Sequence, residues 1–199
     1  MSLSLRLALC SLILFSGLSA SKEVKEWSIL MYCNANGLGT QVLNNIVSAS
    51  TRVRPETTNV MVQYQYDNGH AWRLELGEKT IAVKEFIRWV DTFNGDNALV
   101  DAFTHLVTNN PAKRYAVFFI GFGSGILDLV WDWNTNAWYW PSEFLARGIL
   151  YDAENNFRLS SNQLVTACQR INDVLVNNGH PDRLDLLVTD ADMMNSLEL

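Results

Sequence analysis

Short apolar runs ended by glycine or polar turns alternate along this chain with segments whose apolar positions recur every three or four residues. Trp27 to Tyr32 is the first run, short enough and rich enough in aromatic and branched side chains to predict a buried strand. Cys33-Asn34-Ala35-Asn36-Gly37 forms its turn. Leu38, Val42, Leu43, Ile46 and Val47 then share one helical face up to about Val53, where Pro55 and the polar Glu56 to Asn59 break the pattern. Val60 to Tyr66 predicts a second strand. Asp67-Asn68-Gly69 predicts a hairpin turn, because asparagine and glycine accept positive φ. Ala71 to Leu76 alternates Trp72, Leu74 and Leu76 with Arg73 and Glu75, the pattern of a strand with one wet face. Gly77 to Asn94 carries only a short apolar piece around Phe86, Ile87 and Trp89 and predicts a looser connection.

Asp96 is placed to cap a helix bearing Leu99, Val100, Phe103, Leu106 and Val107, which Asn109-Asn110-Pro111 ends. Tyr115 to Ile120 is the next buried-strand run, and it breaks abruptly into Gly121, Gly123 and Gly125. Residues 127–150 crowd Trp131, Trp133, Trp138, Tyr139 and Trp140 among Asp132, Asn134, Asn136 and Pro141, and predict a long loop. Such a loop either folds over its own aromatics as a satellite core or presents them to a ligand. Ser160 or Ser161 caps a helix with Leu164, Ala167, Cys168, Ile171, Val174 and Leu175 on one face, ended by Gly179. Leu184 to Thr189 is the last buried run, tipped by Asp190-Ala191-Asp192. Helices alternating with buried strands predict an α/β fold whose sheet is covered on both faces, and its sites belong at the carboxyl ends of the strands.

Composition narrows the setting. The 199 residues are 48% hydrophobic, enough for one domain with a core, and no repeat or linker divides them. A formal net charge of −6 argues against a nucleic-acid partner. Residues 1–20 have the layout of a secretory signal peptide: Arg6, the apolar Leu7 to Phe15, and the small-residue end Gly17 to Ala20. That apolar stretch is short for a bilayer span. The expectation is a secreted or extracytoplasmic domain of residues 21–199, free of the membrane after cleavage. Cys33 and Cys168 remain, either paired or as two separate thiols. Asp152, Glu154 and Asn155 lack an ordered spacing of oxygen ligands and read as a solvated acidic turn rather than a Ca²⁺ loop.

The order of these motifs resembles the clostripain-like cysteine peptidases, relatives of the caspase and gingipain type. The resemblance rests on Trp27 to Tyr32, the helix around Leu99 and Phe103, and Asn110-Pro111-Ala112-Lys113-Arg114-Tyr115-Ala116. It continues through Leu159-Ser160 with Leu164 to Leu184-Asp185-Leu186-Leu187 and Asp190-Ala191. It implies a caspase-like three-layer α/β/α sandwich with a mostly parallel central sheet. It also implies a histidine directly before Gly-Ser-Gly at one strand tip and a cysteine after Asp-Ala at another. Here Phe122 stands at the histidine position and Asp192 at the cysteine position. Phenylalanine moves no proton, and a cysteine without a neighbouring base is not activated as a thiolate. The family's domain continues beyond its cysteine strand, whereas this sequence runs only to Leu199, so an unfinished sheet edge open to association is expected. Ca²⁺ enters through the resemblance alone; the residues themselves call for no metal and no cofactor.

The expected function is therefore a non-catalytic peptide- or protein-binding domain. Its cleft would be formed by Phe122, Gly123, Ser124, Asp190 and Asp192, flanked by Trp131 and Trp133. Two alternatives stand beside it: a hydrolase using Cys33 or Ser124 as a nucleophile outside the family pattern, and a degenerate fragment without function. His70, His105 and His180 fall away from the predicted strand tips and are expected in structural or exposed roles.

Overall fold

The computed structural model describes residues 23–34, 39–67, 70–88, 94–121, 130–132, 134–139, 150–152 and 157–191. The apolar run at Trp27 becomes the middle of strand β1 (Lys25–Asn34), which sits at the centre of a six-stranded sheet. Its neighbours are β2 (Thr58–Asp67) on one side and β5 (Ala112–Gly121) on the other, both parallel to it. β10 (Leu186–Ala191) continues the parallel set beyond β5. On the far side of β2, β3 (His70–Gly77) and β4 (Thr80–Ile87) run antiparallel, giving the order β10-β5-β1-β2-β3-β4. Parallel neighbours require crossovers, and helices α1 (Gly39–Ser50), α2 (Gly95–Asn109) and α3 (Ser161–Asn177) lie in the connecting segments.

The side-chain alternation of the strands sorts these helices into two outer layers. Leu30, Tyr32, Met61, Tyr115, Val117 and Phe119 point to the face covered by α2 and α3, where Leu99, Phe103, Leu106, Ala167, Ile171 and Leu175 complete the larger core. The opposite strand positions, among them Cys33, Val60, Val62, Tyr64, Leu74 and Leu76, meet Val42 and Ile46 of α1. This is the expected three-layer α/β/α sandwich with a mostly parallel sheet.

Small polar clips set the strand register at the amino ends. Ser28 donates from Oγ to the Asn110 carbonyl at 2.5 Å and accepts from Asn59 Nδ2 at 3.0 Å, tying the end of α2 to β1 and β2. The Tyr115 amide donates to Asp185 Oδ2 at 2.9 Å, and the Asp185 amide donates to the Tyr115 carbonyl at 3.1 Å. This exchange explains why the last strand starts at Leu186 rather than at Leu184: Asp185 is the clip that seats it.

Several expectations are corrected. Gly77 to Asn94 is expected to be a loose connection, yet Thr80–Ile87 forms an entire edge strand; its apolar Ile81, Val83 and Phe86 are exposed, and Lys84-Glu85 interrupt them where the register shifts, so no clean alternation marks the strand. The supposed wet face of β3 holds Arg73, only 4% exposed, beneath α2. The stretch 127–150 contains β6 (Val130–Asp132) paired with β7 (Ala137–Tyr139), with Trp131 opposite Trp138. A second short hairpin pairs β8 (Leu150–Asp152) with β9 (Phe157–Leu159) and delivers the fully buried Leu150 and Leu159 to the larger core. Asn94, not Asp96, occupies the N-cap position of α2, and no side chain caps it. Asp96 instead accepts from Arg170 Nη1 of α3 at 3.2 Å, linking the two helices. Ser160 does cap α3: its Oγ accepts from the Gln163 amide at 3.2 Å, while Gln163 Oε1 accepts from the Ser160 amide at 2.9 Å. Gly179, at φ 79°, closes that helix in the left-handed region that glycine tolerates.

Candidate functional site

The two strands whose tips were singled out in the sequence lie side by side. Register pairs Asp190 with Ile120 and Ala191 with Gly121, so β10 and β5 reach the carboxyl end of the sheet together. On the other side of β5, Ile120 lies opposite Cys33, and Asn34 and Gln65 close the same end of β1 and β2. Gly121 is fixed by close approach: a Cβ there would come within 3.0 Å of the Asn34 carbonyl oxygen and 3.1 Å of Leu150 Cδ2. Of the expected cleft residues, the described structure brings Asp190 to this end and pairs the backbone of Trp131 in β6. Phe122, Gly123, Ser124, Trp133 and Asp192 lie outside the described residues, as do Glu154 and Asn155 of the acidic turn.

Cys33 is the one candidate nucleophile described at this end, and its surroundings do not activate it. It is 0% exposed in the α1-face core. Burial pushes its thiol far above the ordinary range, and the carboxylate of Asp190 pushes it further. Such a thiol stays protonated and out of reach at neutral pH. Cys168 is half-buried on α3, and burial raises its thiol as well. The two cysteines are free, with the sheet between them, because Cys33 faces the α1 layer and Cys168 belongs to the opposite one.

The histidines have other company. His180 approaches the Tyr115 hydroxyl with Nε2 at 3.3 Å, and its ring meets that of Tyr115 edge-on. His70 opens β3 and stacks on Phe86. His105 lies in α2 with Nδ1 3.2 Å from Arg73 Nη1, which makes that nitrogen an acceptor, since a guanidinium only donates. Arg73 also donates to Gln63 Oε1 at 3.1 Å, to Glu85 Oε2 at 2.7 Å and to Asp101 Oδ2. This cluster joins β2, β3, β4 and α2 and satisfies a nearly buried cation, the requirement any such charge imposes. It is a fastening between layers, away from the strand tips.

Two residues at the carboxyl end gave no functional signal in the sequence. Asn34 is 1% exposed and Gln65 is 0% exposed, and among the described residues the side-chain nitrogen and oxygen of each find no hydrogen-bond partner. They are register partners on adjacent strands. The cue available beforehand was Gln63 and Gln65 at alternate positions of an otherwise apolar strand, which sends both amides to one face. Among the described residues no group of three or more His, Cys, Asp or Glu gathers as a metal site would require, and no helix is long and apolar enough to cross a membrane.

A mostly parallel sheet between two helical layers is the architecture of caspase-like α/β folds. Solved structures of that class match the chain. A secreted C11, or clostripain-like, cysteine protease from Bacteroides thetaiotaomicron, determined with an irreversible peptide inhibitor, superposes with a TM-score of 0.59 at 18% identity, over 86% of this chain and 44% of that one. The secreted C11 protease "iotapain" from the same organism superposes with a TM-score of 0.55 at 14% identity, over 87% of this chain and 48% of that one. At such identities the likeness shows the fold, and the chain spans less than half the length of these proteases. No protein-family model matches the sequence, and no curated protein does.

Proposed function

We propose that this chain is a non-catalytic peptide-binding domain built on the clostripain-like fold and secreted by way of its first twenty residues. The observation that carries the reading is the pairing of β5 with β10. The two strands reach the carboxyl end at Gly121 and Ala191, and the next residues in sequence are Phe122 and Asp192, where the family resemblance calls for histidine and cysteine. The described thiol at this end, Cys33, is buried and held protonated, which leaves no ready replacement for the missing cysteine. The amides of Asn34 and Gln65 support binding over mere degeneration. An unmet buried hydrogen bond costs about 1–3 kcal/mol, so two such side chains at one sheet end are expensive unless a partner completes them. An extended peptide, with its alternating carbonyls and amides, is such a partner once the strand ends part to admit it, since in the free chain both amides are as deeply buried as Cys33. The similar secreted C11 protease was solved with an irreversible peptide inhibitor, which supports a peptide as the ligand.

The test is hydrolysis of fluorogenic Arg- and Lys-terminated peptides by residues 21–199, with and without Ca²⁺, beside the variant Phe122→His with Asp192→Cys. The reading predicts no turnover by the natural sequence. Turnover abolished by thiol alkylation would assign the chemistry to Cys33 or Cys168, and turnover surviving alkylation would assign it to Ser124 or a carboxylate. Activity gained only by the double variant would show a cleft intact apart from its chemistry.

A further inference from the structure

The two faces of the sheet are unequally covered. α2 and α3 lie together over one face, whereas among the described residues α1 is the one helix over the other, where Val42 and Ile46 share a core with residues of β1, β2 and β3. Register carries that second face outward in two cross-strand rows, Ile29–Ala116–Leu186 and Met31–Phe118–Val188. These rows are incompletely covered: Leu186 is 43% exposed, and Ile29, Met31, Phe118 and Val188 are half-buried. An open groove of about 460 Å³ runs over Ile29, Met31, Val60 and Phe118 beside the end of α1. Neighbouring strands are about 4.8 Å apart, so the span from β1 across β5 to β10 is about 10 Å wide, close to the diameter of a single helix.

The groove also has a charge. Arg52 and Arg54, just past α1, line it, in a chain whose net charge is −6. Among the described residues neither guanidinium forms an ion pair, and neither pairs with Glu56, the nearest acidic residue in sequence. An apolar trough with two unpaired guanidinium groups on its wall is complementary to an amphipathic segment that carries carboxylates at one end.

We propose that this groove docks an amphipathic helix of a partner protein, apolar on the face laid against Ile29, Met31 and Phe118 and acidic at the end that reaches Arg52 and Arg54. A helix suits the surface better than a small amphiphile does, because the apolar rows continue past the groove to Leu186 of β10, the outermost strand of the described sheet on that side. The position is distinct from the peptide-binding reading: the groove runs over the α1-side face from Thr58 and Val60 to Met31 and Phe118, whereas that cleft lies at the strand tips from Asn34, Gln65 and Gly121 onward.

The experiment uses a labelled synthetic helical peptide of about 15 residues with leucines at i, i+3, i+4 and i+7 spacing and glutamates at one end, titrated with the full chain by fluorescence anisotropy. Saturable binding is expected, weakened about tenfold by Arg52→Glu combined with Arg54→Glu. The same double variant should gain affinity for a peptide with lysines in place of the glutamates. Both arginines are exposed, so an unchanged circular dichroism spectrum confirms that the variant folds. Equal binding of the glutamate and lysine peptides by the natural chain overturns the proposal. Concentration-dependent self-association abolished by the arginine substitutions overturns it in favour of a second copy of the chain. Binding of oleate without binding of the peptide overturns it in favour of a small amphiphile.

Discussion

Gln65 shows how one side chain separates stability from function. Its amide is fully buried without a partner, so Gln65→Met, which keeps most of the volume and removes the unmet polar atoms, is expected to raise stability by about 1 kcal/mol. The same change should weaken peptide binding at the strand tips; a urea midpoint and a binding isotherm on one preparation check both halves. Cys33 supplies a pH prediction. Burial raises its folded-state pKa, so the folded protein holds this proton more tightly than the unfolded chain does. That contribution is fully present below the unfolded thiol value of about 8.5 and is lost as pH rises above it. Urea midpoints should therefore fall from pH 8 to pH 10, and Cys33→Ala should flatten the early part of the decline. The buried Tyr32, raised by the same cause, adds to the loss at higher pH. Of these residues the sequence marks only Cys33 as a functional candidate, as a nucleophile, a role its burial does not support. A glutamine in a strand and a cysteine at its end give the same letters whether or not they find partners, and partners are settled only by the fold.

At the scale of elements, what could be read depended on how far burial imprinted the pattern. β1, β2 and β5 are buried in their central stretches and were visible as apolar runs. β4 was not, because its apolar residues are exposed rather than buried and Lys84-Glu85 break their alternation at a register shift opposite Arg73 and Leu74. Arg73 was misplaced for a related reason. Alternation with Trp72 and Leu74 fixes which face it occupies but not what covers that face, and α2 brings Asp101 and His105 over it. The cap of α3 was legible because a capping box is local in sequence. Ser160→Ala removes its acceptor and is expected to cost about 1 kcal/mol, read as a lowered thermal midpoint; no loss would mean that α3 is held by its buried Ala167, Ile171 and Leu175 alone.

For the whole molecule, the sandwich was readable from the alternation of helices and buried strands, and the match to two secreted C11 proteases bears out the caspase-like fold. The site was half legible. The pairing of the β5 and β10 tips follows from topology and is observed, whereas the reading of Phe122 and Asp192 rests on the family resemblance. The uneven helical cover of the sheet was not legible at all, since it depends on which strands α1 reaches. The measurement that tests the account most directly is amide-resonance mapping of residues 21–199 titrated with a panel of extended peptides, with the peptides recovered afterwards. The account predicts saturable shifts concentrated at Asn34, Gln65, Ile120, Gly121 and Asp190 and peptides returned uncut. Cleaved peptides, or shifts absent from these strand ends at saturating peptide, would contradict it.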